Sequence, residues 1–277
     1  MDMKGKKLLN KTWKENAVTY GIVIIAYIII QIMVQTGNIS SLMKGLLVPV
    51  CVYVIMAVSL NLVVGISGEL SLGHAGFMCA GAFSGALFTK CMADTIGNPV
   101  VCFAIAVVVG AATAAVFGIL FGVPVLRLQG DYLAIVTLAF GEIIKNIVNA
   151  LFIGRDENGL HFSLKSAMDL NLADGGEVLI KGPQGITGNP RVASFTIGVI
   201  LILITLFIVQ NVINSRTGRA VMAIRDNRIA AQSVGLSVTK SKLMAFTISA
   251  ALAGVGGVLY AHNLTTLTAL PKNFGYN

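Results

Sequence analysis

Long apolar stretches, broken at intervals by short polar or charged segments, set the pattern of this chain. Runs free of Asp, Glu, Lys and Arg cover Asn16–Met43, Gly45–Gly68, Leu70–Thr89, Thr95–Leu126, Val192–Ser215 and Leu243–Pro271. Each holds the roughly 20 apolar residues that a helix needs to cross about 30 Å of hydrocarbon. Tyr132–Ile153 is a seventh candidate, apolar except for Glu142 and Lys145. Membrane β-barrels would instead show segments of about 10 residues in strict alternation. The pattern predicts an all-α polytopic membrane protein with seven spans, the last over Leu243–Ala261. The first run lies too far from the start for a signal peptide. No small-residue cleavage site follows Gly21–Val34, and more spans come after it, so it reads as a retained span.

Composition points the same way. Hydrophobic residues make up 56% of the 277-residue chain and charged residues 12%, with a mean hydropathy of +0.83. Soluble domains carry about 25% charged residues, so a water-facing surface is out of reach and a soluble enzyme is excluded. Lys4, Lys6, Lys7, Lys11 and Lys14 stand against Asp2 and Glu15 at the amino terminus. Arg216, Arg219, Arg225, Arg228, Lys240 and Lys242 stand against Asp226 in the longest basic loop. Six spans separate the two, an even number, so both face the cytoplasm by the positive-inside rule. The chain thus divides into a cytoplasmic tail (1–15) and a transmembrane domain (16–277). That domain has an outer loop at 154–191 and a cytoplasmic loop at 216–242. Thr265–Asn277 is polar and reads as containing no further element. The net charge of +8 sits beside the spans as a topology signal, and nucleic-acid binding is not expected.

Cys51, Cys79, Cys91 and Cys102 lack CxxC spacing, and His74, His161 and His262 are scattered, so metal chemistry is not expected. No P-loop, GxSxG or dinucleotide fingerprint is present, and no bound cofactor is expected. Gly81/Gly85, Gly118/Gly122 and the Gly254–Gly257 cluster are small-residue patterns that let helix backbones approach. Glu142 and Lys145 are spaced to pair on one helix face. They read either as a polar element of a translocation path or as a structural pair within the bundle.

Two segments carry more specific information. In Asn61–Phe77, Gly65, Ser67, Gly68, Ser71, Gly73 and Gly76 disrupt ordinary helix periodicity. Non-helical backbone at membrane depth survives only when buried in protein or lining a cavity. A broken or re-entrant segment near 65–76 is expected, with a tight intracellular turn as the alternative. In Ser215–Lys240, Ala220, Ile224, Ala231 and Val234 recur at roughly helical spacing, with Arg225, Asp226 and Arg228 off that stripe. Gly235 marks a helix end. A short cytoplasmic helix near 219–234, suited to seating on a cytosolic partner through its charges, is expected.

Four stretches in order resemble one family: Asn61–Phe77 (NLVVGISGELSLGHAGF), Val125–Glu142 (VLRLQGDYLAIVTLAFGE), Gly218–Gly235 (GRAVMAIRDNRIAAQSVG) and Lys242–Gly254 (KLMAFTISAALAG). The chain is similar to permease subunits of the branched-chain amino-acid ABC importers, closer to the M-type than to the H-type sister, over about Val48–Gly275. The resemblance implies a multi-pass protein of a prokaryotic cell membrane, moving leucine, isoleucine or valine and catalysing no covalent chemistry itself. It implies a homologous sister permease, two cytosolic subunits that bind and hydrolyse ATP, and an extracytoplasmic solute-binding protein. It places Arg219, Arg225, Asp226, Asn227, Ala230, Ala231 and Gly235 in the segment that couples to the ATPase. A solute path along Ser67, Gly68, Ser71, Gly73 and His74, with Glu142, follows by analogy with broken-helix binding sites. The outer loop departs from the family pattern, reading Ile180–Gly185 (IKGPQG) after a long Arg155–Leu179 stretch. Family chains also continue beyond an FG like Phe274-Gly275 by at least one span, so the chain reads either as naturally short or as a fragment of a longer membrane domain. An ABC permease for urea or short amides is the neighbouring reading. A secondary transporter or membrane scaffold needing no ATPase is the reading from another class.

Overall fold

The computed structural model describes residues 3–93, 95–128, 130–156, 159–170, 172, 176–270 and 274, with side chains from residue 17 onward. Seven helices among these are long and apolar enough to span a membrane. They are α1 (Met3–Gln35), α2 (Ser41–Asn61), α3 (His74–Met92), α4 (Pro99–Val125), α5 (Asp131–Ala150), α6 (Phe195–Asn214) and α9 (Val238–Ala261). Between α6 and α9 lie two short helices, α7 (Arg216–Asp226) and α8 (Arg228–Ser233). Helix starts follow local chemistry. Ser40, Asn98 and Ser194 each accept a hydrogen bond from an orphan amide of the first turn, and Pro99 opens α4.

The span boundaries differ from the charge-free runs. Asn16–Met43 contains a turn at Thr36–Ser40 and so covers α1 and the start of α2. Span three begins at His74, four residues after Leu70, because the Gly-rich segment is not helical. The amino-terminal tail is not a separate element: α1 begins at Met3 and runs unbroken into the span, while the side chains of its lysines lie outside the described residues.

α9 is the centre of the bundle, packed against α2, α3 and α4. Small residues make that possible. A Cβ on Gly254 would stand 2.6 Å from both the Ala114 Cβ and the Gly110 carbonyl oxygen of α4. One on Gly118 would stand 2.8 Å from the Ala250 Cβ of α9. One on Gly85 would stand 2.6 Å from Val258. The glycine patterns of α3, α4 and α9 therefore mark backbone contact, as expected. α1 lies at the edge against α6, with Val18, Ile22, Ile25 and Ile29 exposed.

The 154–191 loop is not irregular. β1 (Phe152–Asp156) is the centre of a three-stranded antiparallel sheet between β2 (Gly159–Ser163) and β3 (Glu177–Lys181). The sheet buries Ile153, Leu179 and Ile180. Arg155 Nη1 donates to the Cys91 carbonyl at 2.9 Å, and Lys90 pairs with Glu177 at 3.3 Å, fastening the sheet to the end of α3. Of the Arg155–Leu179 stretch, residues 157–158, 171 and 173–175 lie outside the described residues. The expectation that Thr265–Asn277 holds no element is also corrected. β4 (Ile186–Thr187) pairs with β5 (Thr266–Leu267), because Ile186 and Leu267 are both fully buried and their backbone must be paired. Residues 271–273 and 275–277 lie outside the described residues, and Phe274 packs on Phe83 and Tyr260. The three-stranded sheet caps the carboxyl ends of α3 and α5 and the β4–β5 pair lies at that of α9, whereas α7 and α8 cap the carboxyl end of α2 and the start of α9. The two loops thus sit at opposite ends of the bundle.

Candidate functional site

The site begins where α2 stops being an α-helix. Leu62–Ile66 forms a π-turn, closed by Ser67 N–H donating to the Leu62 carbonyl at 3.2 Å. The missing side chain of Gly65 makes room for the Asn61 amide, which folds over the turn. Gly68 then adopts φ +71°, a left-handed conformation natural to glycine, and the chain stays unwound to Gly73. At about 1.5 Å per residue, 26 residues from Ser41 to Ile66 run further than the 19 of His74–Met92. The unwound residues therefore climb back along the bundle before α3 starts. The expected break is present, and it ends against α5: Leu72 N–H donates to Thr137 Oγ1 at 3.0 Å, and a Cβ on Gly73 would run into the Thr137 carbonyl.

Ser71, Gly73 and His74 come together here, all buried. His74 Nε2 lies 2.7 Å from Ser59 Oγ, whose hydroxyl donates to the Met56 carbonyl at 2.9 Å. That oxygen is left to accept from His74, which assigns the Nε2–H tautomer. Ser249 Oγ of α9 donates to the Ser59 carbonyl at 2.5 Å. Ser71 Oγ is buried without a hydrogen-bond partner among the described residues. Ser67 is buried just before them. Gly68 stands apart, exposed beneath Arg225, and Glu142 lies further along α5, where it forms the expected ion pair with Lys145.

The second expected segment is two helices, not one. Asn227 breaks it with an extended backbone (φ −152°, ψ 102°), and its Oδ1 caps α8 by accepting from Ala230 N–H at 3.0 Å. Ser215 Oγ caps α7 through Gly218 N–H at 3.1 Å. Gly235, at φ +86°, ends α8: Gly235 N–H reaches the Gln232 carbonyl and Leu236 N–H the Ala231 carbonyl, a Schellman pair. Ile224, Ala231 and Val238 form one small core, and Val221 joins Leu62 and Ala245 in another. Of the expected apolar stripe, Ile224 and Ala231 are buried and Ala220 is half-buried, while Val234 is 76% exposed. The break at Asn227 turns α8 so that Val234 and Ile229, itself 80% exposed, point outward. Arg225, Asp226, Asn227 and Ala230 are exposed beside them, and Arg219 Nη1 donates to the Asn214 carbonyl at 2.9 Å.

Sequence reasoning missed Ser59, Thr137 and Ser249, lone polar residues in apolar runs, and the pairing of Glu69 with Lys242, which were read only as members of separate motifs and, for Lys242, as a topology charge. Their signal was polarity inside or at the edge of a span, which no spacing rule links into one group. Among the described residues no His, Cys, Asp or Glu cluster could hold a metal ion.

Seven helices long and apolar enough to span a membrane, with a buried polar break between two of them and a projecting segment with an exposed apolar tip, define an all-α polytopic membrane protein. The family model for the permease component of branched-chain amino acid transport systems matches residues 42–276. The chain belongs to that family. It is 37% identical over 219 residues to the high-affinity branched-chain amino acid transport system permease protein LivM of Salmonella typhimurium, and equally so to LivM of Escherichia coli. Each alignment covers 76% of this chain and 50% of the relative, so the chain spans about half the length of these proteins. No solved structure matches significantly.

Proposed function

We propose that the chain is the permease subunit of an ATP-driven importer that moves leucine, isoleucine or valine into a prokaryotic cell. It would work with a sister permease, two cytosolic ATP-binding subunits and an external solute-binding protein. ATP is bound by the partner subunits, and this chain carries out translocation only. The observation that carries the reading is the α7–α8 segment. It pairs an apolar tip at Ile229 and Val234 with Arg225, Asp226 and Asn227 and is built onto the end of the broken α2. Exposed apolar side chains rimmed by charge suit docking to a protein groove. The family description favours branched-chain amino acids over urea or short amides.

In this reading the amino terminus and 216–242 face the cytoplasm, and the sheet faces the solute-binding protein. Solute passes the Ser71–His74 break, where unwound backbone and hydroxyls offer polar partners to a zwitterion. Glu142 lies further along the same route. The test is reconstitution of the chain with its sister permease and ATPase subunits in proteoliposomes. ATP-dependent uptake of labelled leucine in the presence of the loaded solute-binding protein is expected. Uptake without ATP, or labelling of a cysteine placed at Gln232 from outside intact cells, would refute the reading.

A further inference from the structure

The unwound residues are held from two sides, by contacts that the family assignment does not supply. Arg225 of α7 lies over Gly68 and donates from Nη1 to the Gly65 carbonyl at 2.8 Å, while its Nε and Nη2 hold Asp226 at 3.1 and 3.0 Å. A Cβ on Gly68 would stand 2.7 Å from Arg225 Cγ, so the absence of a side chain there lets the arginine lie flat on the break. From the other side, Lys242 in the first turns of α9 pairs with Glu69, the two side chains 12% and 14% exposed. Glu69 N–H in turn donates to the Val63 carbonyl at 3.2 Å, tying the acid to the π-turn. At its far end the unwound strip, Ser67–Gly73, meets α5 through Leu72 and Thr137. The strip therefore touches the α7–α8 segment at one end and α5 at the other.

We propose that the Glu69–Lys242 pair is a positioning clamp for coupling. It ties Glu69 to the start of α9 while Arg225 ties Gly65 and Gly68 to α7, so that displacement of α7–α8 is delivered to Thr137 and α5 instead of being lost in slack chain. Unwound backbone without such a tie would absorb motion through its own dihedrals. A charge pair this buried resists separation, because either charge alone in a low-dielectric surrounding is strongly disfavoured. Coupling is the bias that one site places on a two-state element at another, and a slack link weakens that bias without removing either site. The inference rests on the function proposed above.

The experiment uses the full complex in proteoliposomes and reads leucine transported per ATP hydrolysed, normalised to assembled complex. A wild-type complex that hydrolyses ATP without accumulating leucine refutes the proposed function itself, before any variant is compared. With that established, Glu69→Gln and Lys242→Met are each expected to lower leucine per ATP by at least about fivefold. The exchanged pair Glu69→Lys with Lys242→Glu is expected to restore it. Thr137→Val, nearly isosteric and remote from the pair, disconnects the far end of the strip and is expected to lower the same ratio. A merely structural pair would lower the melting temperature and the amount of complex but leave leucine per ATP unchanged in all three single variants, and that result overturns the clamp. So does an exchanged pair that restores assembly but not the ratio.

Discussion

Gly254→Ala tests whether backbone contact between α4 and α9 holds the bundle together. The added methyl would stand 2.6 Å from the Ala114 Cβ and from the Gly110 carbonyl oxygen. Carbon contacts prefer about 3.5–4.0 Å, so the two helices would have to part by about 1 Å, a gap that forfeits a quarter to a half of each dispersion contact along the seam. Overpacking of this kind costs about 1–3 kcal/mol. Against it stands the gain of roughly 0.8–1.0 kcal/mol from replacing a helical glycine by alanine. The control is Gly45→Ala in α2, where nothing lies within 4 Å of the new methyl. The propensity gain is common to both variants and cancels between them, so their difference isolates the overpacking. At about 2–4 °C per kcal/mol for a chain of this size, Gly254→Ala should melt about 2–12 °C below Gly45→Ala. The assay is thermal unfolding of the purified protein in one detergent. Equal melting temperatures would refute close backbone approach as the source of stability at this seam.

Replacing both Ile229 and Val234 by aspartate should abolish co-purification of the ATPase subunits while leaving the melting temperature unchanged, since both side chains are exposed; retained co-purification would move the docking surface elsewhere. Asn227→Ala removes the cap of α8 and should cost about 0.5–2 kcal/mol locally, read as faster hydrogen exchange over Arg228–Ser233 with α9 unaffected. Gly235→Val forces a branched residue to φ +86°, at about 1–2 kcal/mol, and should fray the same helix; unchanged exchange there would count against the Schellman ending. Ser59→Ala strands the buried His74 Nε2–H and should destabilise the protein by about 1–3 kcal/mol, whereas Ser84→Ala, at a half-buried hydroxyl, should cost less.

The elements differ in how much of them was legible beforehand. Seven spans, the even number of them (six) between the two basic segments, and the break before His74 could all be read along the chain. A bilayer imposes length and charge rules on each segment separately, and glycine and serine clusters oppose helix locally wherever they occur. The ends of α8 were partly readable for the same reason, since Gly235 acts within its own turn. Asn227 is as local a signal, yet its capping geometry split the expected helix and turned Val234 outward.

What surrounds a spanning helix was decided only in three dimensions. α4 is apolar on every face, so its Gly118/Gly122 pattern marks a side made for close helix approach without saying which helix fills it. Gly110 and Ala114 acquire their meaning from Gly254, over a hundred residues away. The same holds for Glu69 and Lys242, Ser59 and Ser249, and Leu72 and Thr137, each polar group answering another on a different helix. The three-stranded sheet likewise arises from strands too short to show alternation, ordered by Ile153 and Ile180 reaching the bundle. Solvent rules act on each segment alone and are written in order along the chain; pairing rules act between segments, and only the folded bundle brings the partners together.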